Sequence, residues 1–289
     1  MEKVESLYRW SKHVDEADLE EWELRLLGAD VNCIAEKLVK RKRWHLSSYT
    51  ESRTEAEELQ AAYGGGVTEV RPEDWMPSAE MASGGVLRIR DALVVTELAE
   101  PENVRKVEQE HPGRIVLSFP PQLAFGTGAH PTTASCLRFL VDAAKRRNGQ
   151  AWNLVDLGCG SGILAIAAAK LGATNIVAIE NDAMALGYAR ENAERHGVAD
   201  RIEFLCEDAI AWMHARERGS IQVVAANLFS ELLIELMPAI PAALAPGGEI
   251  ILSGFLTSQT RDVVEASKSC GMPLTDFLRR GKWVAGWGG

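Results

Sequence analysis

The sequence contains no apolar run near the ~20 residues that a bilayer-spanning helix needs. Its first residues, Met1-Glu-Lys-Val-Glu, are charged, with no apolar signal core behind them. These absences predict a soluble, cytoplasmic chain. The five cysteines, at positions 33, 136, 159, 206 and 270, are odd in number and include no Cys-x-x-Cys pair. That argues against a disulfide framework and for reduced thiols. Six histidines are scattered without ligand spacing, so no metal site is expected. Positive charge is in short supply too: 31 Lys and Arg stand against 41 Asp and Glu, a net charge of −10. Such a balance disfavours nonspecific attachment to nucleic acid or anionic membranes and is compatible with a basic polypeptide partner. At 289 residues the chain is long enough for two domains with a sizeable core.

What is present is concentrated between Ala151 and Glu180. An apolar run ends at Asp156, glycines fall at 158, 160 and 162, and the Ala/Ile/Leu-rich segment that follows has a strong helix-forming composition. Strand, glycine turn, helix and second strand are the expected order, with a ligand approaching the backbone at the carboxyl ends of the strands. A dinucleotide fingerprint needs a further glycine where Ile163 stands. The pattern is instead Gly-x-Gly-x-Gly, bracketed by the carboxylates of Asp156 and Glu180. This resembles the S-adenosyl-L-methionine (SAM) loop of class I methyltransferases, a cofactor with an amino acid and a ribose but no phosphate. Glu180, at the end of the second strand, is placed to accept hydrogen bonds from both ribose hydroxyls.

Residues 1–70 carry a different pattern. Short strands around Leu7–Trp10, Val31–Ala35, Arg43–Tyr49 and Gly66–Val70 alternate with helices starting at Asp15 and Thr54. The order β-α-β-β-α-β predicts a small α+β ferredoxin-like domain. The basic cluster Lys40-Arg-Lys-Arg43 reads as a solvated loop or strand edge, and no direct nucleic-acid binding is expected from it. Residues 71–113, rich in proline and glycine, read as a linker with inserted strands at Val86–Arg90 and Ala92–Thr96. Residues 114–289 make the third segment, an α/β Rossmann-like sheet ending in an antiparallel hairpin.

Just ahead of the glycine turn lies Leu123-Ala-Phe-Gly-Thr-Gly-Ala-His-Pro-Thr-Thr133, leading into a helix. Its glycines, hydroxyls and unpaired helix N–H groups are what a cofactor lid requires. Taken with Asp-x-Gly-Cys-Gly-Ser-Gly-Ile-Leu-Ala-Ile-Ala-Ala, this stretch resembles the PrmA family, the methyltransferases of ribosomal protein L-eleven. The resemblance covers residues 114–289 well and the N-terminal module in architecture. It implies that the C-terminal domain binds SAM and that the ferredoxin-like domain holds the ribosomal protein. It also implies cofactor roles for Phe125, Thr133, Asp156, Gly158, Gly160, Glu180, Asp208 and Asn227, with Asp208 placed to read adenine. No general base stands out; His130 and Asn227 are the candidates for a direct part in the chemistry.

The residues Asn227-Leu-Phe-Ser230 replace the Asn-Pro-Pro-Tyr common in enzymes that methylate adenine or glutamine, which favours an aliphatic amine: lysine side chains, an N-terminal amine, or both. Two further readings remain open. One is a protein-lysine methyltransferase of the same fold with a non-ribosomal substrate, because Met76-Pro-Ser-Ala-Glu-Met departs from the family's linker. The other is a noncatalytic SAM-binding or ribosome-associated module.

Overall fold

The computed structural model describes residues 7–27, 29, 31, 33–37, 43–50, 52–70, 86–120, 130–216 and 218–289. The chain divides into two compact units, Met1–Met76 and Pro77–Gly289.

In the first unit, β1 (Leu7–Asp15) runs through a 3-10 turn into α1 (Leu19–Leu27). It is followed by β2 (Ile34–Lys37), β3 (Arg43–Thr50), α2 (Arg53–Tyr63) and β4 (Gly66–Val70). The strands form one antiparallel sheet in the order β2-β3-β1-β4, the ferredoxin-like arrangement. Strand period explains its core. Trp10 and Val14 lie on one face of β1 and bury against Leu46 of β3 and Leu26 of α1. The Trp10 indole Nε1 donates to the Gly64 carbonyl at 2.7 Å, which satisfies a polar atom that burial would otherwise strand. Ser52 caps α2 by accepting from the Glu55 N–H.

The second unit opens with β5 (Leu87–Ile89), β6 (Leu93–Thr96), α3 (Pro101–Glu110) and β7 (Ile115–Ser118). The three strands form a small sheet in which β6 and β7 run parallel, with α3 as their crossover. Helix α3 falls where the sequence reads as irregular linker. Its proline sits in the first turn, where no N–H is needed, and only Val107 is buried, so the apolar period is thin.

Next come α4 (Pro131–Arg147), β8 (Leu154–Leu157), α5 (Ile163–Lys170), β9 (Ile176–Glu180), α6 (Ala183–Arg195), β10 (Ile202–Cys206) and α7 (Ala209–His214). The chain continues through β11 (Ile221–Asn227), α8 (Ser230–Leu236), α9 (Ile240–Ala243), β12 (Leu244–Leu256), α10 (Thr260–Ser269), β13 (Asp276–Arg280) and β14 (Trp283–Gly288). The seven strands order as β10-β9-β8-β11-β12-β14-β13, all neighbours parallel except those of β14. Cores fill both faces of this sheet. Strands buried on two faces read as continuous apolar runs, which is why β8 and β11 stand out in the sequence.

Helices α8 and α9 are separate, because Pro238 and Pro241 cannot continue an α-helical ladder. Pro246-Gly-Gly248 belongs to β12 as an irregularity rather than a separate turn: between Ile221 and Val223 the pairing jumps from Leu244 to Glu249.

Glu249 sits just past that irregularity and is buried, with its carboxylate fully engaged. Oε2 accepts from Arg146 Nη2 at 2.5 Å and from the Trp287 indole at 2.8 Å, and Oε1 lies 2.9 Å from Arg147 Nη2. The cluster ties the carboxyl end of α4 to β12 and β14. Replacing Glu249 by Ala is expected to cost about 2–4 kcal/mol, less than a fully buried pair because Arg146 is partly solvated. Urea denaturation measures it; a change under about 0.5 kcal/mol, the range of ordinary surface substitutions, would contradict the assignment.

Candidate active site

The site forms where β8 stops. Its four residues are buried, and the chain then turns through Gly158, Gly160 and Gly162, all at positive φ of 68°, 52° and 78°. Side chains rarely adopt that backbone, so glycine is required. The turn is pinned to the neighbouring strand: the N–H groups of Gly158 and Cys159 both donate to the Ile179 carbonyl at 2.9 Å. The Gly160 N–H donates to Glu180 Oε2 at 3.0 Å, and Asp182 N–H to Oε1 at 3.2 Å. Each Glu180 oxygen accepts one of these backbone bonds, and a carboxylate oxygen has capacity for a second.

Asp156, one residue before the end of β8, is 1% exposed and accepts from the Ala165 N–H at 3.1 Å. Burial, with Glu180 nearby, pushes its carboxyl up to about 7. A cationic group brought close would reverse that shift. Asp156, Gly158, Gly160 and Glu180 all line one cavity of about 350 Å³, which Thr133, Asn227, His130 and Trp283 also line. The rest of the lining is mostly apolar, including Ile163, Leu164 and Leu228.

Asn227 ends β11 and points its amide at Thr133: Nδ2 donates to Oγ1 at 3.3 Å. Its Oδ1 is buried and has no hydrogen-bond partner. An unsatisfied buried carbonyl is costly unless a ligand donor completes it. His130 caps α4, with Nδ1 accepting the Thr132 N–H and lying 2.7 Å from Thr132 Oγ1. Its ring meets Trp283 edge-on at 5.0 Å. Burial, with Lys282 adding to it, lowers the imidazole to about 4, so it is neutral at physiological pH.

Seven of the expected residues therefore converge on this cavity: His130, Thr133, Asp156, Gly158, Gly160, Glu180 and Asn227. Asp208 does not line it. The residue follows β10 at its carboxyl end, but Oδ1 caps α7 through the Ala211 N–H at 2.8 Å and the side chain is exposed. Phe125, with most of its motif and the Lys40–Lys42 part of the basic cluster, lies outside the described residues. Trp283 was not foreseen. Nothing local marks it; only the pairing of β14 with β12, which sets Trp283 opposite Leu256, brings it to the carboxyl edge of the sheet. Among the described residues no group of His, Cys, Asp and Glu could hold a metal ion, and no helix is long and apolar enough to cross a membrane.

The sheet order, with its reversed strand next to the edge, and the glycine turn with its carboxylate at the end of the second strand define a class I methyltransferase fold. Comparison with known proteins is more specific. The sequence matches the profile of the family described as ribosomal protein L11 methyltransferase (PrmA) over residues 12–287, and the chain belongs to that family. It is similar to the ribosomal protein L11 methyltransferase of Chromohalobacter salexigens, 44% identical over 181 residues, which is 61% of this chain and 56% of that protein. The protein of the same name from Geobacter metallireducens is 36% identical over 217 residues, 75% of this chain and 66% of that one. The matched stretch thus spans between about half and two thirds of these curated relatives' length. Among solved structures, the ribosomal protein L11 methylase of Lactobacillus delbrueckii subsp. bulgaricus superposes with a TM-score of 0.59 at 26% identity. It covers 71% of this chain and 97% of its own.

The two shifted groups make opposite contributions to stability. Folding raises the Asp156 pKa, so its stabilising contribution is complete below the ordinary carboxylate range and is lost as pH rises towards about 7. Folding lowers that of His130, so its contribution is complete above about 6.5 and is lost as pH falls towards about 4. Asp156→Asn is therefore expected to remove a loss of stability that the wild type suffers between about pH 4 and pH 7. Urea midpoints across that interval test this, and parallel wild-type and variant curves would refute it.

Proposed function

We propose that the protein transfers methyl groups from SAM to amino groups, lysine side chains or an N-terminal amine, of ribosomal protein L11. The observation that carries this reading is the partnerless Asn227 Oδ1, buried in an apolar cavity that also presents the carboxyls of Asp156 and Glu180. An amine nitrogen is a donor that would satisfy Oδ1. The family membership and the names of the relatives support the choice of acceptor.

The residues fit the cofactor. Glu180 would hold the ribose hydroxyls, and Asp156 with Gly158 and Gly160 the methionine end. Asp208 would take the adenine amino group, and Thr133 and Phe125 the side of the lid. Bound SAM supplies a methyl group already activated by its sulfonium. The chain's own part is alignment and water exclusion. Asn227 Oδ1 accepts an N–H from the acceptor amine and so fixes the direction of its lone pair. The apolar walls favour the neutral amine over the ammonium, whose proton leaves to solvent before the amine is seated. His130 is ill suited to take that proton, since its Nδ1 is occupied by the first turn of α4 and the ring binds protons weakly. In this reading residues 1–70 recognise the acceptor, 71–113 join the domains, 114–289 hold the cofactor, and the protein works in the cytoplasm with its ribosomal substrate.

Methyl-labelled SAM incubated with purified L11 tests the function, and no label on L11 would sink it. Glu180→Ala is expected to weaken SAM binding by about 1–3 kcal/mol through loss of charge-assisted hydrogen bonds. Calorimetry returning the wild-type affinity would remove the ribose role. Asn227→Ala is expected to lower kcat far more than it changes SAM affinity, and an unchanged kcat would remove its role towards the amine.

A further inference from the structure

Among the described residues, four large apolar side chains are conspicuously exposed: Met184, Phe229, Leu232 and Phe277. Two of them stand together. Phe229, 65% exposed, stands at the position just before the first residue of α8, and Leu232, 38% exposed, follows three residues later. Phe229 also lines the cavity. The exposure does not come from a loosely held helix, because Leu233 and Leu236 of the same helix are buried at 1% and 0%. Beside this apolar pair lie two carboxylates. Glu231 is half-buried with Oε2 accepting from Ser230 Oγ at 3.1 Å, and Glu235 is exposed. An apolar pair at the lip of a cavity, flanked by acids, is complementary to a peptide segment that is basic and carries an apolar side chain.

We infer that this face of α8, formed by Phe229, Leu232, Glu231 and Glu235, is a docking surface for a basic, apolar-bearing segment of the acceptor polypeptide adjoining the amine to be methylated. The inference rests on the methyl-transfer reading above and specifies the chemistry of the acceptor on either side of its target. Continuity supports it: the ring that walls the cavity is the ring that faces solvent, so a chain delivering an amine past Phe229 meets Leu232 next. The charge of −10 on the whole protein favours the same kind of partner.

The test uses the full-length protein, methyl-labelled SAM and total ribosomal protein resolved by band, with purified L11 for kinetics. Leu232→Ser and Glu235→Gln lie outside the cavity and are expected to keep SAM affinity, by calorimetry, and kcat. Leu232→Ser should raise KM for the acceptor about fivefold, as expected for part of a leucine's burial. Glu235→Gln should flatten the rise of KM with salt. A raised KM on L11 supports both the surface and the L11 reading. The same change on another labelled band supports the surface and overturns L11 as the acceptor. An unchanged KM and salt dependence on whichever band is labelled overturns the surface and leaves the reading intact. No labelling by the wild type overturns both.

Discussion

The organisation of the catalytic unit depends on how the backbone leaves β8. Two consecutive N–H groups, Gly158 and Cys159, converge on the single carbonyl of Ile179, and the next, that of Gly160, meets the Glu180 carboxylate. These bonds fasten the glycine turn to the end of β9. They set the start of α5 and leave a hollow at the carboxyl edge of the sheet. Only residues without a side chain pass through the left-handed region three times in five positions. The acidic side chain that receives Gly160 is therefore structural and available at once: it shapes the empty turn and keeps capacity for hydroxyl donors.

The electrostatics of the hollow favour a cationic ligand. A carboxyl buried to 1% exposure at Asp156 binds its proton up to about pH 7, and the histidine across the cavity has lost most of its affinity for one. Burial thus disfavours the charged form of both groups. The arrangement suits a ligand that brings positive charge, an ammonium or a sulfonium, better than one that brings phosphate, since no cationic side chain lines the cavity among the described residues.

How much of this was legible beforehand follows from how local each cause is. The unit from Leu154 to Glu180 is encoded within about thirty residues as an apolar run, three glycines and a terminal acid, and the structure builds it as the sequence reads. Asn227 was legible because it interrupts an apolar strand at its carboxyl end. Trp283 was not, since its position at the site depends on antiparallel register with β12, a contact between distant segments. The Glu249 cluster was hidden for the same reason, joining residues 103 apart in sequence. Asp208 lies beyond the end of β10, where the local demand of α7 for a cap claims part of its carboxylate, a use that no motif announces. The exposed Phe229 looked like one letter of a motif, because burial cannot be read from a single aromatic.

Helix α4 spans the distance between two of these features. Its carboxyl end is gripped by Glu249 through Arg146 and Arg147, and its amino end carries His130 and Thr133 into the cavity. Seventeen residues at 1.5 Å each make it a rod of about 25 Å. A rod clamped at one end transmits small errors of seating to the other as displacement along its axis. The depth at which the Thr133 hydroxyl meets Asn227 is thus fixed partly from the remote side of the sheet. Positions around Arg146, far from any ligand, set the dimensional tolerance of the site.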